Sequence, residues 1–290
     1  MIAYAGWVTA RKPGALPADQ TVMLAAFEGW NDAGSAASDT LDHLNTVWEA
    51  RELSSLDPEE YHDFQVNRPT IEADDDGHRE LVWPTTTVST AKVARRKIVL
   101  AQGHEPSMRW RRFCDDLLDR AVEQQVHTVI TVGALLADVP HTRDIPVTMS
   151  SEDAKVRALL DLEPSTYEGP VGIVGVLAAE ARRRGLATVA VWAAVPHYVA
   201  HPPSPKATLA LLGAVEKLLG HSLEMGDLAE DARAWQQGVD ELAAEDTDIG
   251  EYVRHLEEAK DTAELPEATG EAIAQEFERY LRRRDPGGGL

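Results

Sequence analysis

Four continuous apolar runs punctuate the first two thirds of the chain: Thr21 to Phe27, Lys97 to Gly103, His127 to Gly133 and Leu186 to Val195. Runs of strand length without polar alternation suit strands that are buried on both faces. Helical periodicity separates them, over Ser35 to Trp48, Ser107 to Gln125, Ile173 to Arg184 and Lys206 to Leu219. This alternation predicts βαβ units, hence a mainly parallel sheet with helices on both sides. The stretch Thr70 to Pro84 interrupts it: an Asp76-Gly77 turn between two short strand-like runs predicts a hairpin inserted into the sheet or added at its edge. Beyond Gly220 the pattern changes again, to three amphipathic helices near Glu224 to Ala244, Asp248 to Ala259 and Thr269 to Arg284. The expected organisation is therefore an α/β/α core over residues 1–220 and an all-helical appendage over residues 221–290.

Composition sharpens this division. The 290 residues are 43% hydrophobic, enough for a sizeable core, and carry a formal net charge of −21. Residues 221–290 hold 19 acidic and 7 basic side chains, a balance of −12, which leaves −9 on the rest. Such acidity repels phosphate backbones and anionic membrane surfaces, so neither nucleic acid nor membrane is expected as a partner. Cys114 is the single cysteine, which excludes an internal disulfide and fits a reducing compartment. No apolar run approaches the roughly 18 residues of a spanning helix, and the first 20 residues lack the apolar stretch of a secretory signal. A soluble, cytoplasmic protein is expected.

Ligands of open parallel sheets collect beyond the carboxyl ends of the strands, and the loops after the four apolar runs are rich in chemistry. The first carries Trp30, Asn31 and Asp32 between Gly29 and Gly34; the second carries His104 and Glu105. The third carries Asp138, His141, Arg143 and Asp144, and the fourth His197, Tyr198, His201 and Lys206. Asp32, just before a helix, reads as an N-cap or as a group handling protons. His141 and His197, each after a proline, read as structural loop histidines or, with Arg143 and Tyr198, as a recognition patch for a polar or anionic group. Trp30, Asn31, Asp32, His104, His141, Arg143, His197 and Tyr198 are the candidate binding residues. His197 and His201 are four apart, but Pro202 and Pro203 argue against the helix a zinc pair would need. The stretch Gly169 to Gly175 matches no phosphate-binding signature and reads as the start of a packed helix. Cys114 falls on an apolar stripe with Trp110, Phe113 and Leu117, and no serine sits in a nucleophile elbow. No catalytic residue, metal site or cofactor is expected.

The segments FEGWNDAGSAA, GALLADVPHTR, GPVGIVGVLAAEARRRG and WAAVPHYVAHPPSPKATLALL resemble the proteasome assembly chaperone 2 family in its actinobacterial form. The likeness spans roughly residues 20–220, with the motifs in family order, on Gly29, Trp30, Asn31, Asp32, Gly34, Pro140, His141, Thr142, Arg143, Pro196, His197, Tyr198, Pro205 and Lys206. It implies a three-layer α/β/α, phosphorylase/hydrolase-like core and homo-oligomers, a trimer among the forms. It also implies a role in, or descent from, chaperones that hold proteasome α subunits. The chain ends Gly288, Gly289, Leu290, without the hydrophobic-Tyr-any tail by which such chaperones dock, so tail insertion in that form is not expected.

Two function classes follow. One is a non-catalytic interaction protein, using an acidic surface and its helical appendage to hold a protein partner. The other is a nucleoside-phosphorylase-like enzyme or binder of a small polar metabolite, with Trp30 stacking on a ring, Asp32 and His141 handling protons or hydroxyls, and Arg143 or the helix start holding an anion.

Overall fold

The structure, a computed structural model, describes residues 14–73 and 77–262. Its elements in chain order are β1 (Thr21–Glu28), α1 (Ala36–Val47), β2 (Arg51–Ser55), α2 (Pro58–Tyr61), β3 (Thr70–Ala73), β4 (Arg79–Val82), β5 (Thr86–Val93), β6 (Arg96–His104), α3 (Trp110–Glu123) and β7 (Val126–Ala137). There follow β8 (Val147–Ser150), α4 (Ala154–Leu160), α5 (Ile173–Arg183), β9 (Ala187–Pro196), α6 (Pro205–Leu219), α7 (Leu228–Glu245) and α8 (Thr247–Thr262).

Seven strands form one sheet in the order β2-β5-β6-β1-β7-β9-β8. The four predicted strands are its parallel centre, β6-β1-β7-β9, while β5, β2 and β8 pair antiparallel at the flanks. Burial on both faces explains the unbroken apolar runs. In β1, Val22, Leu24 and Ala26 pack with α1 and α6 on one side, and Met23, Ala25 and Phe27 with α3 and α5 on the other. A three-layer α/β/α core results. Cys114 lies inside the second cluster, where burial pushes its thiol up to about 12.

The hairpin departs from expectation. β3 and β4 pair only with each other, as a separate two-stranded sheet, rather than joining the main one. The outer strands of the main sheet are β2, which pairs with β5, and β8, which pairs with β9. The β3 and β4 side chains, all exposed, supply no face for a helix layer to cover. β7 also runs further than Gly133, to Ala137. A Cβ at Gly133 would meet the Trp192 ring at 2.7 Å, so the glycine lets that indole lie across the strand.

α6 ends at Gly220, in the left-handed conformation that favours glycine, and α7 returns along α6 with α8 behind it. The third predicted tail helix, Thr269 to Arg284, lies outside the described residues. No described helix is long and apolar enough to cross a membrane.

Candidate functional site

The loop after β1 turns sharply into α1. Gly34 holds φ +62°, its carbonyl accepts from the Ser204 amide at 2.9 Å, and a Cβ there would come within 2.7 Å of Ser204. Asp32 caps the helix from upstream: Oδ1 accepts from the amides of Ala37 (2.7 Å) and Ser38 (3.2 Å), and Oδ2 from the Ser38 hydroxyl (2.5 Å). Burial pushes the Asp32 carboxyl up, against those bonds. Asp39, one turn on, is pushed up to about 6 by burial and by the negative charge of Asp32, Asp42 and Glu28.

Asn31 points the other way, into the start of α5. Its Nδ2 donates to Glu105 Oε1 at 2.8 Å, and the same oxygen accepts from the Ile173 amide at 2.8 Å. A Cβ at Gly172 would fall 2.1 Å from Asn31 Oδ1, so glycine is required for this close approach. Asn31, Glu105 and Gly172 therefore lock the loops after β1 and β6 onto a helix N-terminus, where a carboxylate is favoured. His104 pairs with Glu28 at 3.0 Å, a hydrogen bond that raises its pKa. Buried His62 meets the His104 ring edge-on, and burial lowers its pKa to about 4.

Trp30 alone of the first loop's candidates borders an open space. A cavity of about 730 Å³ lies between β8, the segment before α5, and α5 itself, with Trp30, Trp192, Tyr167 and Ala178 in its lining.

The remaining candidates gather some residues further along the sheet, beneath α7 and α8. His141 is 1% exposed. Its amide donates to the Tyr198 oxygen at 2.7 Å, its Nδ1 lies 2.8 Å from that oxygen, and its Nε2 lies 3.0 Å from Asp240 on α7. One pattern satisfies all three: Nε2–H donates to the carboxylate, the tyrosine hydroxyl donates to Nδ1, and the tyrosine oxygen accepts the amide. The imidazole is then neutral, in keeping with burial lowering its pKa; burial also pushes the Tyr198 phenol up to about 12. Lys206 donates to the His141 carbonyl and to Gln236 of α7, each at 2.6 Å. On α8, Glu257 accepts from Arg143 at 2.9 Å and from the Thr142 hydroxyl, Tyr252 donates to Asp138 at 3.2 Å, and Lys260 donates to the Asp144 carbonyl at 3.1 Å. His197 lies 3.3 Å from Asp138 and edge-on to both Tyr198 and Tyr252.

The eight candidates thus fall into distinct surroundings. His141, Arg143, His197 and Tyr198 share one polar and aromatic cluster roofed by the two tail helices. Asn31 and Asp32 brace α5 and α1, His104 pairs beside them, and Trp30 borders the cavity. The residues that complete these networks, Glu105, Trp192, Asp240, Tyr252 and Glu257, were not among the candidates. Glu105 stood in a strand-end loop and was findable; the tail residues read as solvated faces of acidic helices. Among the described residues, no three His, Cys, Asp or Glu side chains gather in a way that could hold a metal ion.

The PAC2 family model matches residues 26–243. A solved PAC2 family protein from Streptomyces avermitilis is 51% identical, with a TM-score of 0.76, over 81% of this chain and 100% of that one. A proteasome-assembly chaperone homologue from Mycobacterium tuberculosis is 47% identical, with a TM-score of 0.73, over 80% of this chain and 100% of that one. The Pyrococcus furiosus protein PbaA, an archaeal homologue of proteasome-assembly chaperone, shares the fold at 15% identity and a TM-score of 0.55, over 83% and 96% of the two chains. No curated protein matches the sequence.

Proposed function

The chain belongs to the PAC2 family, and from that premise we propose that it is a proteasome-assembly-chaperone-like protein: a cytoplasmic homo-oligomer that holds another protein rather than turning over a substrate, with proteasome α subunits as its partner. The observation that carries this reading is the 47% identity to the mycobacterial proteasome-assembly chaperone homologue along that protein's whole length. The state of the strand-end loops supports it, because His141, Arg143 and Tyr198 are engaged with each other or with α7 and α8. The acidic surface supports it too, since it disfavours nucleic acid and anionic membranes as competing partners. Capture of the tagged chain from native lysate, with the bound proteins identified, is the test. Recovery of α-type proteasome subunits in stoichiometric amount is expected; recovery of none sinks the reading.

The cavity beside Trp30 favours a second reading, a phosphorylase-like binder of a nucleoside or other polar metabolite, with the indole stacking on a ring. Asp32, His141 and Arg143 do not line that cavity, so proton handling and anion binding would need other groups. Thermal-shift screening with nucleosides and phosphate decides it: a saturable rise in melting temperature supports the binder, and none removes it.

A further inference from the structure

The cavity beside Trp30 has a floor of strand residues and a wall of small helical ones. β8 and β9 pair so that Thr148 stands opposite Trp192 and Ser150 opposite Ala190. Residues opposite one another in an antiparallel pair share a face of the sheet, and all four line the cavity. α5 meets them with Gly175, Ala178 and Ala179, three and four positions apart on one helix face and too short to fill the gap. α4 packs on the other side of the sheet through Val156 and Leu160, so the segment 161–171, not a helix, closes the space. Its volume of about 730 Å³ suits a small organic ligand.

Three features of the lining fix what that ligand carries. The first is aromatic area held in place: the Trp192 ring lies across Gly133, the Tyr167 hydroxyl donates to the Pro170 carbonyl at 2.6 Å, and Trp30 adds a third ring. The second is charge. Glu152, Asp161 and Glu163, all exposed, stand against Arg182, three carboxylates to one guanidinium and a local balance of −2. The Ser165 amide donates to Glu152 Oε1 at 3.1 Å and holds that carboxylate to the closing segment. The third is an unused polar atom. Buried Thr148 Oγ1, on the residue opposite Trp192, has no hydrogen-bond partner, and buried polar atoms are ordinarily satisfied.

Rings and carboxylates favour the same guest. An organic cation is drawn to an indole by the ring quadrupole and to the rim by its charge, whereas a phosphate or carboxylate ligand meets net repulsion. We infer that the cavity binds an organic ammonium ion with an aromatic or apolar body. The ammonium donates to Thr148 Oγ1 beside the Trp192 ring, the body packs against Trp30 and Tyr167, and the rim carboxylates supply the attracting field. The inference rests on the metabolite-binder reading of this cavity and names the class of ligand.

Titration calorimetry of the full chain at low ionic strength tests it, with three probes that share one body: 2-phenylethylammonium, 2-phenylethanol and phenylacetate. The ammonium ion is expected to bind saturably at one site per chain, the alcohol at least about fivefold more weakly, and the carboxylate not at all. Thr148→Val keeps the shape of the side chain and removes the unsatisfied hydroxyl, so it should weaken ammonium binding about two- to tenfold without lowering the melting temperature. Asp161→Asn combined with Glu163→Gln removes two of the three rim carboxylates at exposed positions. It should weaken the ammonium ion about three- to tenfold and leave the alcohol unchanged. Equal binding of all three probes, or ammonium binding that neither variant weakens, overturns the inference. Nucleosides that raise the melting temperature while no ammonium ion binds overturn it alone; silence from both removes the metabolite-binder reading with it.

Discussion

Replacing Tyr198 by phenylalanine removes one oxygen and keeps the ring that meets His141, His197 and Tyr252. That oxygen serves the His141 amide at 2.7 Å and its Nδ1 at 2.8 Å, on a residue only 1% exposed. A buried donor left without a partner costs about 1–3 kcal/mol, and the orphaned Nδ1 adds roughly another 1 kcal/mol. Switching tautomer does not help, because Asp240 holds the proton on Nε2. The expected loss is therefore about 2–4 kcal/mol, read as a lower denaturation midpoint with an unchanged slope in urea, followed by far-UV circular dichroism. Asp240→Asn is the control: its amide oxygen still accepts from Nε2, and the side chain is 48% exposed, so less than about 1 kcal/mol should go. A Tyr198→Phe loss below about 0.5 kcal/mol would refute the reasoning.

Four further outcomes are expected. Gly133→Ala places a Cβ 2.7 Å from the Trp192 ring, and the resulting overpacking should cost about 1–3 kcal/mol, seen as a melting temperature lower by several degrees. His62 titrates at about 4 in the folded protein against 6.5 in the unfolded chain, so the unfolded state binds the extra proton between those values and stability falls as pH drops through that window. Asp39, at about 6 against 3.8, acts with the opposite sign, gaining stability as pH falls from 6 to 3.8; pH-dependent melts of His62→Asn and Asp39→Asn should each flatten one component. Ending the chain at Gly220 should leave a folded core that associates differently and exchanges the His141 amide fast; loss of cooperative unfolding would instead make the tail helices part of the core.

The parallel centre was legible because a strand covered on both faces must be apolar at every position, as β1 is. β5 was not, since Thr86, Thr87, Ser89 and Thr90 break that signature while still favouring extended chain. β7 runs past Gly133, where the apolar run stops; the glycine makes room for Trp192, a partner 59 positions away that periodicity does not reveal. The same long-range limit governs the site. Loop polarity at the strand ends was visible, and Asp32 as a helix cap was one of its two readings. The return of α7 and α8 over His141, Arg143 and Tyr198 was not visible, because the contacts of Asp240, Tyr252 and Glu257 depend on how two acidic helices pack back on α6.

The proposed role, holding proteasome α subunits, can be tested directly. Purified full-length chain, mixed with purified α-type subunits and analysed by size exclusion with light scattering, tests it most directly. A stable complex of defined stoichiometry, which delays or guides α-subunit assembly, is the predicted result. Separate elution at micromolar concentrations of both proteins, with α-subunit assembly unchanged, would contradict it.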